Sequence, residues 1–249
     1  MECYLPLLRV LEDSSSANNQ NPKLTISLSP TLLSLLNDQD LKNRFPKWLK
    51  TRLNILKKVN KDQVDSANSL AENISIQLSD WYACEGNLIK RFSNLMEADV
   101  IDILTCAATH GYLPLLRENT ECVFAQLSTA VKEHIRFFGV NPQGIWLPEC
   151  AYFEGLDKLM VANGLRYSIL DGHGVLHAKP RPKYGIYAPI CTKNGVAFFG
   201  RDSDSTLPVW SSNHGYPGDS KYREFHRDLG WDLPVEALRK IGIEEPRPL

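Results

Sequence analysis

No cysteine in the chain belongs to a Cys-x-x-Cys pair or to a paired Cys/His spacing. The six, Cys3, Cys84, Cys106, Cys122, Cys150 and Cys191, are scattered along 249 residues. This scatter argues against a zinc site or a disulfide framework and makes a reduced, cytoplasmic setting the default. Charge of one sign is equally scarce: the net charge is -1, with no basic run. That composition points neither to nucleic acid nor to anionic lipid. Long apolar runs are missing. MECYLPLLRVLED is too short to span a bilayer and has no basic segment ahead of an apolar stretch, so it does not read as a signal peptide. There is no repeat of fixed period and no low-complexity tract. A Walker loop, a G-x-G-x-x-G stretch and a G-x-S-x-G elbow are all absent, which removes the common phosphate-binding and serine-nucleophile chemistries.

What is present suits a real core: 43% of the residues are hydrophobic. KLTISLS alternates as a strand, after which Ser29 caps and Pro30 opens a helix through LLSLL. Residues 14–23, SSSANNQNPK, read as a polar loop. Residues 39–97 carry apolar positions at helical spacing and predict two or three helices. DVIDILTCA reads as a buried strand and THGYLPLL as a loop. An amphipathic helix spans 119–138. GIWLPE is a strand, EGLDKLMVANG a helix closed by Gly164, and RYSILDG, GIYAPI and GVAFFGRD are further strands. The tail from about 203 reads as loop, with a helix near 219–229. Strands alternating with helices predict an α/β fold with a mostly parallel sheet.

Polar groups recur at the ends of these strands: Ser27 and Ser29, His110, Glu149, Asp171 with His173, and Arg201 with Asp202. That rim is where parallel α/β folds build their sites. Each residue alone has a plain reading. Glu149 fits a helix-start carboxylate, Asp171-Gly-His173-Gly a turn, and Arg201/Asp202 a surface ion pair. Together with the aromatics Trp146, Tyr152, Trp210 and Tyr216 they suit a sugar site. Rings offer apolar faces for stacking and hydroxyls for Asp, His and Arg. Glycosyl transfer needs a carboxylate nucleophile and an acid partner.

At GIWLPECAY the chain resembles the nucleophile segment of glycoside hydrolase family 57. ILTCAATHGYLPLL, FFGRDSDSTLPVWS and GYPGDSKYREFHRDLGWDLP agree with it in family order and are most similar to the family's 1,4-α-glucan branching enzymes. The resemblance runs from about residue 4 to about 234. It implies an incomplete distorted (β/α)7 barrel over 1–234, with 39–97 as a helical excursion and 235–249 as a divergent tail. It implies retaining transfer on α-1,4-glucan (amylose or glycogen) that forms α-1,6 branches, without cofactor or metal. By the same resemblance Glu149 is the nucleophile and His110 lines the subsite beside it. Arg201, Trp210 and Gly218 contact substrate, with Tyr216 and Asp219 beside them. Asp171, His173 and Trp146 lie at the rim.

Two family elements have no counterpart here. A His-x-His strand is expected ahead of LPLLRVLED. The general acid is an aspartate on a strand after GWDLP, and Asp232 does not match it. The chain therefore reads as a fragment of a branching enzyme, with little or no branching activity of its own. The alternatives are an α-amylase or 4-α-glucanotransferase of the same family, a non-catalytic glucan-binding remnant, and a metal-dependent deacetylase on a similar barrel.

Overall fold

A computed structural model describes residues 3–17, 23–57, 64–219, 221–222, 229–240 and 243–245. In chain order the first elements are α1 (Tyr4–Ala17), β1 (Leu24–Ser27), α2 (Pro30–Asn37), α3 (Gln39–Leu56), α4 (Val64–Ala83), α5 (Leu88–Glu97) and β2 (Ile101–Cys106). They are followed by α6 (Leu113–Leu116), α7 (Thr120–Phe138), β3 (Gly144–Trp146), α8 (Leu156–Ala162), β4 (Tyr167–Leu170) and α9 (Gly172–Leu176). The last are β5 (Ile190–Cys191), β6 (Ala197–Gly200), α10 (Ser203–Trp210), α11 (Leu229–Asp232) and α12 (Val235–Arg239). Among the described residues no helix is long and apolar enough to cross a membrane.

The chain divides into two compact units. One comprises Leu8–Asp38 and Asn87–Ser203 and holds the sheet, ordered β1-β2-β3-β4-β6-β5. All pairs are parallel except β5 with β6. Parallel strands covered on both faces need apolar side chains on both, and five of the six residues of β2 are buried accordingly. β1 forms one edge and is largely exposed. The core joins Leu113, Leu127, Ile145, Leu147, Met160 and Phe198 from the sheet, helices and loops. Caps set the helix starts. Ser29 Oγ accepts from the Leu32 amide at 3.2 Å ahead of α2, and Asn119 Oδ1 from the Cys122 amide at 3.0 Å ahead of α7. Gly139, left-handed at φ 73°, ends α7.

A strut crosses three strands at the base of the sheet. The Tyr167 hydroxyl of β4 donates to the Asp102 carboxylate of β2, passing over Gly144 of β3. Burial first, and then Asp102, pushes the Tyr167 phenol well above its ordinary range. A Cβ on Gly144 would stand 2.5 Å from both Leu104 Cδ2 and Tyr167 Cζ. Gly144→Ala is therefore expected to cost about 1–3 kcal/mol by overpacking. Urea unfolding would show it, and an unchanged midpoint would remove the strut from the account.

The other unit comprises Met1–Leu7, Gln39–Gly86 and Asp204–Leu249. In it α3 and α4 pack through Leu49, Leu56, Ala67 and Ile74, and the Phe45 and Trp81 rings lie 4.5 Å apart. A second cluster joins Ile55 to Leu233, Leu238 and Ile243. Arg52 stacks over the Trp48 ring at 3.3 Å.

The alternating pattern, the three helices between 39 and 97 and the helix closed by Gly164 are all present. Five local expectations are corrected. THGYLPLL, read as a loop, holds the short helix α6 at Leu113–Leu116, with Pro114 in its first turn. Helix α1 continues through Ser14–Ala17, where a loop was expected. Leu5, Leu8 and Leu11 fix its buried face, and extending a formed helix gains one hydrogen bond per residue. Residues 18–22 lie outside the described residues. GIYAPI yields only the two-residue β5, because a turn at Tyr184–Tyr187 and Pro189, which has no amide hydrogen, precede it. The tail is not loop from 203: α10 forms, with Pro208 in its second turn. In the expected 219–229 helix, Lys221 and Tyr222 are turn, Asp219 accepts the bond that closes it, Leu229 is helical only as the first residue of α11, and 220 and 223–228 lie outside the described residues.

Candidate active site

Because β1, β2, β3, β4 and β6 run parallel, their C-terminal ends share one edge, and the strand-end residues gather there. Glu149 follows β3 in a short 3-10 turn, Pro148–Cys150. Glu149 and Cys150 are both left-handed, at φ 56° and φ 53°. Each such residue without glycine's freedom costs about 1–2 kcal/mol, and strain of this kind concentrates at functional sites. The turn is closed by Cys150 N donating to Leu147 O at 2.9 Å and Ala151 N to Pro148 O at 3.2 Å. Pro148 and Cys150 are buried, while the Glu149 side chain is 75% exposed, so the carboxylate projects from a fixed base.

His110 reaches the same place from β2. Its own φ of 55° turns the chain back. Gln126 of α7 clamps the loop before it: Thr109 N donates to Gln126 Oε1 at 3.0 Å, and Gln126 Nε2 to Thr109 Oγ1 at 2.8 Å. His110 Nε2 then lies 3.5 Å from Glu149 Oε1, and His110 Nδ1 3.2 Å from Cys106 Sγ. Two side chains 39 positions apart in sequence are thus neighbours.

Arg201, after β6, places Nη1 3.9 Å from Cys150 Sγ, and its amide donates to Leu170 O at 2.9 Å. Asp171, after β4, caps α9 and bonds His173 Nδ1 at 2.9 Å. That bond chiefly, and Arg201 to a smaller degree, holds its carboxyl below the usual range. Burial pushes the Cys150 thiol up, Arg201 opposes this, and Asp171 and Glu149 add to it. The charges of Glu149, Asp171 and Arg201 therefore all bear on one buried sulfur. A Cβ on Gly172 would stand 2.5 Å from Arg201 O, so glycine lets the ends of β4 and β6 approach.

Trp146 ends β3, half-buried and paired with Cys106 in the ladder. Tyr152 stacks edge-on against Phe198 at 5.1 Å and donates to the buried Asp157 at 3.4 Å. Trp210, Tyr216, Gly218 and Asp219 belong to the other unit. There Trp210 is exposed and Tyr216 packs 5.5 Å from Tyr222. Asp219 Oδ1 accepts from the Lys221 amide at 2.9 Å. Gly218 has a backbone reason: its Cβ would fall 1.8 Å from Ser212 O. Among the described residues no group of three His, Cys, Asp or Glu side chains could hold a metal ion.

Sequence reasoning overlooked Cys106, Cys150 and Gln126. The four-residue spacing from Cys106 to His110 and the adjacency of Cys150 to Glu149 were the available signals, but only the left-handed His110 brings its ring to Cys106, and no spacing brings Arg201 to Cys150.

A family model described as Glycosyl hydrolase family 57 matches residues 1–233. The chain belongs to this family. The 1,4-alpha-glucan branching enzyme of Thermococcus kodakarensis is 31% identical over 255 aligned positions, covering 91% of this chain and 38% of that protein. Among solved structures, the alpha-amylase AmyC of Thermotoga maritima matches with a TM-score of 0.87 at 33% identity, covering 95% of this chain and 46% of that one. The family 57 branching enzyme of Pyrococcus horikoshii matches with a TM-score of 0.80 at 31% identity, covering 90% and 45%. The chain thus spans 38–46% of the length of these three relatives. Its open sheet is part of the distorted (β/α)7 barrel of family 57, with a helical insertion.

Proposed function

We propose that this family 57 chain carries the nucleophile side of a retaining α-glucan site, that its substrate is α-1,4-glucan, and that the complete activity is 1,4-α-glucan branching. The observation that carries the reading is Glu149 itself: an exposed carboxylate held left-handed at a strand end, 3.5 Å from His110 Nε2. Glu149 attacks the anomeric carbon, forming a covalent glycosyl ester as the glycosidic oxygen leaves with a proton from an acid. The 6-hydroxyl of a second chain then displaces Glu149. Arg201, Asp171 and His173 bind sugar hydroxyls at the rim, with Trp146 beside them. On the other unit, Trp210, Tyr216, Gly218 and Asp219 are proposed as glucan contacts in their own right. Residues 1–234 form the catalytic part, in which Glu149 takes the nucleophile's role and no residue is assigned the acid's. All six cysteines are free, in keeping with a cytoplasmic glucan enzyme. The resemblance to AmyC favours α-amylase as the second reading.

An activated donor tests the nucleophile separately from any acid, because fluoride departs without protonation. An α-maltosyl fluoride with a second fluorine at C5 of the reacting ring is expected to leave a stable maltosyl ester on Glu149. There the C1–F bond breaks as the C1–O bond forms. Peptide mass mapping reads the site, and an unlabelled Glu149 would sink the proposal. With plain α-maltosyl fluoride, amylose as acceptor and formate as an added base, α-1,6 linkages by NMR mark branching. Free maltose marks the amylase reading instead.

A further inference from the structure

We propose that Cys106 is a positioning residue: its thiol donates to His110 Nδ1 and thereby fixes the ring tautomer that presents Nε2–H to Glu149. This deepens, and rests on, the nucleophile reading of Glu149.

The sulfur lies at the last position of β2 and is 1% exposed. It stands 3.2 Å from His110 Nδ1, within reach of an S–H···N bond. Backbone geometry makes the contact durable. The left-handed His110, its amide bonded to Ala107 O at 2.9 Å, and the Gln126 clamp on Thr109 fold the imidazole back over β2. The opposite nitrogen faces a carboxylate oxygen at 3.5 Å.

Neutral imidazole has one N–H, and the two faces compete for it. If Nδ1 carried the proton, the Nε2 lone pair would face the Glu149 carboxylate, acceptor against acceptor. With the proton on Nε2, each neighbour meets its complement: S–H to Nδ1 and Nε2–H to Oε1. Cys106 can hold that role because burial pushes its thiol up to about 11, so the donor proton stays on sulfur at neutral pH. His110 then anchors Oε1 and leaves Oε2 to attack. The present separation from Glu149 is long for a hydrogen bond and shortens on substrate binding, as such contacts do.

The test is histidine tautomer assignment by long-range 1H–15N NMR at pH 8, where an ordinary imidazole is neutral. Signals of His110 are assigned by their loss in His110→Gln. Wild type is expected to show the Nε2–H form. Cys106→Ala is expected to shift His110 toward mixed tautomers and to slow labelling by the maltosyl fluoride about five- to tenfold, the loss due to one hydrogen bond. Cys106→Ser, which retains a donor, is expected to recover most of both. The buried His134 serves as the folding control. An Nδ1–H form in wild type overturns the proposal whatever the variants do. So does an unchanged His110 spectrum in a folded Cys106→Ala protein. If the tautomer follows Cys106 but Glu149 takes no label, the positioning role stands and the nucleophile reading fails.

Discussion

Glu149→Gln is expected to abolish ester formation with the activated maltosyl donor, by at least about a thousandfold, as removal of a nucleophile does. The amide is nearly isosteric and the side chain is 75% exposed, so the thermal midpoint should barely move. Loss of label with unchanged stability separates a chemical role from a structural one. Glu149→Gly adds a second arm. At φ 56° a non-glycine residue is strained by about 1–2 kcal/mol. Glycine removes this, while its greater freedom in the unfolded chain takes back about half. The expected result is a protein up to about 1 kcal/mol more stable than wild type and wholly unlabelled. A destabilised Glu149→Gly protein would mean that the turn is shaped by contacts of the Glu149 side chain, contrary to its exposure.

The unfolding free energy is expected to fall by about 3 kcal/mol between pH 6.5 and pH 4 through one residue, His134. This histidine of α7 is 1% exposed, stacks 4.8 Å from Phe138 and leaves Nδ1 without a hydrogen-bond partner among the described residues. Burial lowers its pKa from 6.5 to about 4, and the attraction of Asp102 opposes this only in part. The folded value lies below the unfolded one, so the unfolded chain binds more protons between the two. The contribution of His134 is therefore complete above about pH 6.5, is lost as pH falls through the window, and levels off below about 4. His134→Leu keeps the apolar contacts and removes the proton site. Its urea-unfolding free energy, set against wild type at pH 7.5, 5.5 and 4.5, should show a pH dependence flatter by about 2.5 kcal/mol over that range. Parallel curves for the two proteins would show that His134 gains access to water or a partner on protonation.

The contrast between Glu149 and His134 shows what a sequence discloses. Glu149 is legible because it follows an apolar strand and a proline, and because polar residues also follow the other strands of an alternating pattern. His134 sits unmarked in an amphipathic helix, where nothing local distinguishes a buried ring from a half-exposed one. The helix ends at Ser29, Asn119 and Gly139 follow from backbone groups that neighbouring side chains satisfy or release, so short-range chemistry decides them. The continuation of α1 through Ser14–Ala17 and the shrinkage of GIYAPI to two residues were hidden for the opposite reason. Packing sustained a weak helical sequence in one, and a turn with a missing amide hydrogen cut short a good strand sequence in the other.

By itself the sequence determined the alternation of strands and helices, the parallel sheet, the family and the strand-end positions of Glu149, His110, Asp171 and Arg201. Those features rest on periodicity and short motifs, which are properties of neighbouring residues. Only the tertiary structure decided that His110 meets Glu149, that Cys106 stands behind His110, and that Arg201 lies against Cys150. It also decided that Gly144 must be bare for Tyr167 to reach Asp102. Each of these contacts joins residues from different strands or turns through a left-handed residue or a missing Cβ, and their distances are set by the packing of the whole sheet rather than by any spacing along the chain.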